Sequence, residues 1–169
     1  MIISLLGYMG SGKSHISKIL SQKTNYSCID LDKEISQRHQ LSIPEIFAQR
    51  GELFFRRQER LMLEEILETH ENCILSLGGG TPAYYDNMAL LKEKTTTVYL
   101  RASIATLVRR LSRHKERRPM IARLSDEELP EYIAKHLFER QAFYTQAEYT
   151  VITDHKTPEE IAAEIAALV

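Results

Sequence analysis

The sequence predicts an α/β fold in which a five-stranded parallel sheet is covered by helices on both faces. Short apolar runs alternate along the chain with stretches of helical periodicity, and such alternation of strand and helix is typical of parallel sheets. A glycine-rich loop also joins the first predicted strand to the first predicted helix. The predicted strands lie at residues 2–6, 27–31, 73–77, 97–100 and 149–152.

The predicted helices begin at local helix-start signals. The first covers residues 13–22, with its apolar residues on one face. Ser42 and Glu45 have the spacing of a capping box. A longer helix is expected over residues 52–69, and the last helix is expected to begin near Thr157. No repeat or linker divides the sequence, so we expect one domain over the whole chain of 169 residues.

The composition is that of an ordinary globular protein. Apolar residues make up 43% and charged residues 27% of the chain, with a formal net charge of −1, which does not favour a nucleic acid partner. Cys28 and Cys73 each lie in a predicted buried strand, and two isolated cysteines make no disulfide framework or zinc site. No apolar run approaches the roughly 18 to 20 residues of a membrane span, and no leader pattern is present. These features favour a cytoplasmic protein with no membrane partner.

The loop at residues 7–14, GYMGSGKS, matches the P-loop pattern G-x-x-x-x-G-K-S, and it extends the prediction to a three-layer P-loop NTPase fold. In such a loop, backbone N–H groups and a helix N-terminus face the phosphates of ATP. We expect Lys13 to reach the β- and γ-phosphates and the Ser14 hydroxyl to coordinate Mg²⁺. Gly10, Ser11 and Gly12 complete the predicted ATP-binding loop. A glycine-rich turn with an incidental lysine is the alternative, which the flanking strand and helix disfavour.

Two aspartates end the second predicted strand, and Asp30 and Asp32 lie on the same side of the chain if it is still extended there. Ligands gather at the carboxyl ends of parallel strands. One carboxylate is expected to hold Mg²⁺ through water, and the other to accept a proton from an acceptor hydroxyl. The alternative is that Asp32 only caps the following helix. No acidic residue follows the third strand, which gives Asp30 more of the metal-positioning role.

Two further segments suit an anionic acceptor. The spacing of Arg56 and Glu59 lets the glutamate orient the guanidinium, which then offers two parallel donors to a carboxylate or phosphate. A solvated surface ion pair is the commoner meaning of this spacing taken alone. The glycine run 78–80 ends the third predicted strand, where it lets the backbone approach a ligand closely.

A basic segment follows the fourth predicted strand and its helix. It contains Arg109, Arg110, Arg113, Lys115, Arg117 and Arg118. A solvated face is the ordinary meaning of such a run, whereas a mobile basic lid that closes over ATP would neutralise charge on the transferred group. Nucleic acid binding is disfavoured because aromatic residues do not interleave with the basic ones. Arg140, on the next predicted helix, could by itself be an ordinary surface residue.

Taken in order, these motifs resemble the shikimate kinase family over nearly the whole chain. The motifs are the Gly-x-Met-Gly-x-Gly-Lys-Ser loop, Asp30-x-Asp32, Gly51-Glu52-x2-Phe55-Arg56-x2-Glu59, Gly78-Gly79-Gly80, Arg118-Pro119 and Glu139-Arg140-x3-Tyr144. The resemblance implies a fold of the nucleoside monophosphate kinase type, with a substrate-binding helical region at about 32–60 and a lid at about 112–126. It also implies transfer of the γ-phosphoryl group of ATP to the 3-hydroxyl of shikimate, on the route to chorismate and the aromatic amino acids.

The resemblance assigns a role to each matching residue. Asp32 would bind the shikimate hydroxyls and act as the base, alongside Lys13 and Arg118 on the phosphates. Arg56, Gly79 and Arg140 would hold the substrate, with Glu59 orienting Arg56. The remaining implied contacts are Phe47 and Phe55 in an aromatic wall, Gly78 and Gly80 beside the substrate, and His15, Arg110 and the loop from Thr153 to Pro158 on the nucleotide.

Two other functions stay open at this level. A kinase for another polyol acid, such as gluconate, shares the loop and the size, although the Arg56 and glycine blocks favour shikimate. A nonenzymatic nucleotide-binding module would need neither a positioned base nor a lid arginine. Met120 and Ile121 depart from the leucine pair that is common after Arg-Pro in the family, which affects lid packing rather than chemistry. A monomer is the simplest expectation.

Overall fold

The computed structural model describes residues 1–118 and 120–169, and its described strands form one five-stranded parallel sheet. The strand order is β2-β3-β1-β4-β5. The strands are β1 (Ile2–Leu6), β2 (Ser27–Asp30), β3 (Cys73–Ser76), β4 (Thr96–Arg101) and β5 (Tyr149–Ile152). The predicted sheet is therefore confirmed, with strand ends that differ from the predicted ones by one residue at most.

Eight helices of the described residues connect and cover these strands. They are α1 (Lys13–Thr24), α2 (Leu31–His39), α3 (Ile43–Arg50), α4 (Glu52–Thr69), α5 (Asn87–Lys94), α6 (Ile104–Ser112), α7 (Glu128–Tyr144) and α8 (Pro158–Leu168). Short 3₁₀ turns lie at Thr81–Ala83 and Lys115–Arg117. Within the described part of the chain, no helix combines the length and the apolarity needed to cross a membrane.

Alternating residues of the central strand β1 face the two halves of the core. Ile3 and Leu5 pack with the apolar residues of α1 and α8 on one face of the sheet. Ile2 and Leu6 lie in the larger cluster on the other face, with residues of α4, α6 and α7. Successive side chains of a strand point to opposite faces. Because helices cover both faces of the sheet, the strand is buried along its whole length, and the predicted three-layer arrangement is confirmed.

The N-terminal caps follow the predicted signals in two places and differ in a third. Ser42 and Thr157 both form complete capping boxes. At the end of β2, however, the cap is Asp30, whose Oδ1 accepts a hydrogen bond of 3.2 Å from the N–H of Lys33. The predicted strand 27–31 is thus one residue too long, and Asp32 lies in the first turn of α2. Neither an extended Asp30-x-Asp32 segment nor a cap at Asp32 is correct.

The two cysteines differ in exposure, which corrects the prediction that both are buried. Cys73 lies in the interior strand β3 and is fully buried, whereas Cys28 is exposed. The reason is that β2 is an edge strand, in which Ser27 and Cys28 are both exposed. An edge strand gains cover from one neighbour only, so its short apolar run does not guarantee burial.

Candidate active site

The phosphate loop joins the carboxyl end of β1 to α1, and its carbonyl oxygens accept hydrogen bonds from Lys13. Gly10 and Gly12 have φ angles of 82° and 94°, a backbone conformation that glycine adopts without strain. The Nζ of Lys13 donates to the carbonyl oxygens of Gly7 at 2.7 Å and of Tyr8 at 3.0 Å. Burial lowers the pKa of Lys13 to about 8, with the charges of Asp32 and Arg118 as smaller influences.

Ser14 and Asp30 meet at the edge of this loop. The hydroxyl of Ser14 donates to Oδ2 of Asp30 at 3.1 Å, so a helix-start serine of α1 and the cap of α2 present two oxygen ligands side by side. Magnesium prefers oxygen ligands and usually keeps several waters, with one or two protein groups and the substrate phosphates completing its shell. The pair fits that requirement.

A cavity of about 480 Å³ opens beside the phosphate loop, at the carboxyl ends of β2 and β3. Predicted site residues that line it are Asp32, Phe47, Phe55, Arg56, Glu59, Gly78, Gly79, Gly80, Arg118 and Arg140. Sequence reasoning missed five others, which are Met9, Ile43, Pro44, Arg117 and Met120. Of these, Met9 lies within the predicted phosphate loop and Arg117 and Met120 within the predicted lid, and these motifs were the available signal.

Asp32 brings an incompletely hydrogen-bonded carboxylate to this cavity. Its Oδ1 is buried and has no hydrogen-bond partner among the described residues. The pKa of Asp32 is raised to about 6, first by burial and then by the nearby carboxylates of Glu59 and Asp30, while the charges of Lys13 and Arg56 oppose the rise. A buried acceptor without a partner is unfavourable in a folded protein, and a pKa near neutrality suits a general base.

Arg56 and Glu59 form a buried pair rather than a surface one. Only 8% of Arg56 and 1% of Glu59 is exposed, and Nη1 of the arginine donates to Oε1 of the glutamate at 3.1 Å. Thr81 donates its hydroxyl to the other glutamate oxygen at 2.8 Å. Burial raises the pKa of Glu59, while Arg56 and Thr81 oppose that rise. The Nε of Arg56 is buried and makes no hydrogen bond among the described residues.

Tyr84, which the sequence did not single out, supports the same guanidinium from the side. The centre of the Arg56 guanidinium lies 3.9 Å from the Tyr84 ring centroid, which is the geometry of a cation–π contact. The Tyr84 hydroxyl donates to Glu52 at 2.8 Å. Arg56 also lies near Phe55, whose ring centroid is 4.8 Å from that of Phe47. The predicted aromatic wall therefore borders the arginine.

Side chains of the cavity pack closely against the three glycines after β3. A Cβ on Gly80 would lie 2.8 Å from both terminal nitrogens of Arg56, and one on Gly79 would lie 3.2 Å from Nη1 of Arg140. A Cβ on Gly78 would lie 3.0 Å from Oδ1 of Asp32. The glycine run is the surface against which both arginines and the aspartate are packed.

Arg140 reaches this cavity from α7. The same helix places Tyr144, another residue that sequence reasoning quoted only within a motif, against the glycine run, where its hydroxyl donates to the carbonyl oxygen of Gly79. Burial raises the pKa of Tyr144 to about 12, so this hydroxyl stays a donor at neutral pH. Arg140 is therefore a cavity residue and not an ordinary surface arginine.

Six of the predicted nucleotide-side residues surround a second, smaller cavity of about 190 Å³, whereas Lys13, Ser14 and Arg118 do not line it. Gly10, Ser11, Gly12, His15, Arg110 and Pro158 all line it. Arg110 donates from Nη1 to the carbonyl oxygen of Gly10 at 3.1 Å. Lys156, which belongs to the loop 153–158 that the resemblance assigns to the nucleotide, lines the same cavity and pairs with Glu164 at 2.8 Å.

Arg118 lines the larger cavity, next to Met120, in the segment between α6 and α7 that was predicted to form the lid. Met120 is 59% exposed, whereas Ile121 is fully buried in the main core. Of the two residues that replace the leucine pair, Met120 therefore lines the cavity and Ile121 packs in the core. Pro119, part of the quoted Arg-Pro motif, lies outside the described residues.

A parallel sheet with a P-loop after β1, a buried base-like aspartate and paired arginines in an adjoining cavity defines a P-loop kinase acting on a small molecule. A model of the Shikimate kinase family matches residues 9–169. The chain belongs to the shikimate kinase family.

Curated and solved relatives agree with this assignment. A shikimate kinase of Flavobacterium johnsoniae is 48% identical over 164 residues, which cover 96% of this chain and 95% of that protein. The crystal structure of shikimate kinase from Bacteroides thetaiotaomicron has a TM-score of 0.91 at 39% identity and covers 99% of this chain and 96% of its own. Shikimate kinase from Acinetobacter baumannii, solved in complex with shikimate, has a TM-score of 0.88 at 29% identity, with coverage of 99% and 91%.

Proposed function

We propose that this chain transfers the γ-phosphoryl group of ATP to the 3-hydroxyl of shikimate, giving 3-phosphoshikimate and ADP. The observation that carries the proposal is the cavity in which the unpartnered carboxylate oxygen of Asp32 adjoins Arg56 and Arg140. Shikimate has one carboxylate and several hydroxyls, so it requires cationic donors and an acceptor in one pocket. Family membership supports the same reaction.

On the acceptor side, Asp32 takes the proton of the attacking hydroxyl. Its raised pKa, about 6, leaves it ionised at neutral pH yet more basic than an exposed aspartate. Arg56 and Arg140 bind the substrate carboxylate, with Glu59 holding Arg56 in place. Gly78, Gly79 and Gly80 let both arginines approach, while Phe47 and Phe55 border the apolar side of the ring.

On the donor side, the backbone of Gly10, Ser11 and Gly12 binds the phosphates of ATP, and Lys13 leaves its carbonyl partners to reach the β- and γ-phosphates. Ser14 would hold Mg²⁺ directly and Asp30 would hold it through water, and the bound metal would neutralise charge on the phosphates. Arg118 closes from the lid segment at about 112–126 and stabilises the transferred group. His15, Arg110 and Pro158 contact the nucleoside.

The test is ADP release measured with ATP and Mg²⁺ in three parallel reactions that contain shikimate, gluconate or no acceptor. We expect turnover with shikimate alone, with phosphorus NMR assigning the new ester to the 3-hydroxyl. Equal ADP release in all three reactions would indicate an ATPase, and turnover with gluconate alone would identify the other acid kinase. Omitting Mg²⁺ or adding a chelator should remove turnover, which tests the metal requirement.

We also propose a cytoplasmic monomer of one domain. ATP as the donor and two free cysteines, one of them exposed, suit a reducing compartment. The most exposed large apolar residues, Leu53, Tyr85 and Phe138, lie on separate elements rather than in one stripe. Sedimentation velocity across a range of protein concentrations tests the state, and a concentration-dependent dimer would contradict it.

A further inference from the structure

Tyr8 of the phosphate loop and His136 of α7 form a part-buried contact to which the roles above assign no function. Tyr8 is 1% exposed, and its hydroxyl lies 2.9 Å from Nδ1 of His136. The two rings meet edge to face with centroids 5.3 Å apart. Burial raises the pKa of Tyr8 and lowers that of His136 to about 4. Both side chains are therefore neutral near pH 7, and a neutral hydrogen bond joins them.

His136 belongs to one face of α7 that contacts both loops of the active site. His136, Arg140 and Tyr144 are spaced four residues apart, which places them on the same side of a helix. Arg140 packs against Gly79 and Gly80, and Tyr144 bonds to the carbonyl oxygen of Gly79. His136 provides the corresponding contact to the phosphate loop.

A small displacement of the Tyr8 backbone would also displace Lys13, to which it is hydrogen-bonded. The carbonyl oxygen of Tyr8 accepts hydrogen bonds from Nζ of Lys13 at 3.0 Å and from the N–H of Ser11 at 3.1 Å. The glycine run packs on the adjoining backbone, since a Cβ on Gly79 would lie 3.4 Å from the N atom of Met9. The phosphate loop, the glycine run and α7 therefore meet at Tyr8.

We propose that Tyr8 and His136 are a positioning pair that fixes the phosphate loop against α7, and thereby aligns the γ-phosphate with the acceptor that Arg140 holds. This inference rests on the proposed function, because it concerns the alignment of ATP with that acceptor. Neither side chain needs to touch a substrate. Phosphoryl transfer depends on alignment, and a displacement of about 1 Å can lower the rate strongly.

The first test is Tyr8→Phe, which removes the hydroxyl and keeps the ring. A net hydrogen bond contributes about 0.5 to 1.5 kcal/mol, so we expect kcat to fall about 2- to 13-fold. The Kd for ATP without shikimate, measured by calorimetry, should not change. Tyr99→Phe is the matched control, because Tyr99 is also buried and packs on Tyr144 of the same helix with ring centroids 5.1 Å apart. Its kcat should equal that of the wild type.

Variants of His136 test the pair from the other side. His136→Ala should lower kcat as Tyr8→Phe does, and His136→Asn should restore most of it because the asparagine amide lies near the place of Nδ1. The double variant should be no slower than either single one, since both remove the same interaction. Additive losses, a Tyr8→Phe enzyme with wild-type kcat, or a change in melting temperature alone would each overturn the inference. Absence of shikimate-dependent turnover in the wild type would instead refute the proposed function.

Discussion

Replacing Asp32 with asparagine should greatly lower kcat, and the folded variant should become more stable relative to the wild type as the pH rises. Burial raises the pKa of Asp32 from 3.8 to about 6. The folded state thus binds the proton more tightly than the unfolded state does. Stability from this group is fully present below about pH 4 and is lost as the pH rises through about 6. An asparagine at this position does not ionise, so the variant avoids that loss.

The size of the effect follows from the shift. A difference of about two pKa units, at about 1.4 kcal/mol per unit, corresponds to about 3 kcal/mol of destabilisation by the ionised carboxylate. In a chain of this length, that is a change in melting temperature of about 6 to 12 °C. Any change in stability that comes from the packing of the asparagine amide is independent of pH. The change in the stability difference between pH 4 and pH 8 therefore isolates the carboxylate.

The assay combines urea denaturation of both proteins at pH 4, 6 and 8 with steady-state kinetics. We expect the stability difference to move in favour of Asp32→Asn by about 3 kcal/mol between pH 4 and pH 8, and kcat at pH 8 to fall by about 10² to 10⁴. Asp126→Asn is the control for stability, because the side chain of Asp126 is 87% exposed. Parallel stability curves for wild type and variant would refute the burial of this charge, and an unchanged kcat would refute its role as the base.

Three further experiments test other contacts and the burial of Cys73. Glu59→Gln should raise the KM for shikimate by about 10-fold or more, since a hydrogen bond to a charged group contributes about 1.5 to 3 kcal/mol; an unchanged KM in steady-state assays would contradict the orienting role. Gly80→Ala should also raise that KM, because its Cβ would lie 2.8 Å from the Arg56 nitrogens. Gly51→Ala, with a φ of 86° and open space around it, should lower the melting temperature and leave the KM unchanged, and the opposite pattern would refute this steric role. A thiol reagent should label one cysteine of the native protein and two after unfolding, because burial raises the pKa of Cys73 to about 11; labelling of both at the same rate would show that Cys73 is accessible.

Local signals explain why most of the fold could be predicted from the sequence. The capping boxes at Ser42 and Thr157 depend only on residues three apart, and the P-loop glycines act within one turn of chain. Failures arose where a neighbour decides the outcome. Cys28 is exposed because its strand lies at the edge of the sheet. Asp30, rather than Asp32, caps α2 because the strand ends one residue earlier than its apolar run suggests.

In the candidate site, too, local patterns could be predicted from the sequence, whereas contacts between distant elements could not. The spacing of Arg56 and Glu59 predicted a pair, but its burial depends on how α4 packs against the glycine run, and no local pattern contains that information. Tyr84 reaches the Arg56 guanidinium, and Lys156 reaches the smaller cavity, from loops whose sequences carry no sharp motif. Contacts between elements distant in the chain were therefore found only in the structure.

Burial of charge is the common physical feature of this site, and it is unfavourable for stability at each place. Burial moves the pKa of Asp32 up to about 6 and that of Lys13 down to about 8. The buried Arg56 and Glu59 pair carries a desolvation penalty that a well-packed apolar pair would avoid, and Nε of Arg56 has no hydrogen-bond partner among the described residues. An anionic, hydroxylated substrate would supply the missing partners for Arg56 and Asp32. The buried charges that lower the stability of the folded protein are thus the same charges that would bind the substrate, as expected where activity limits stability.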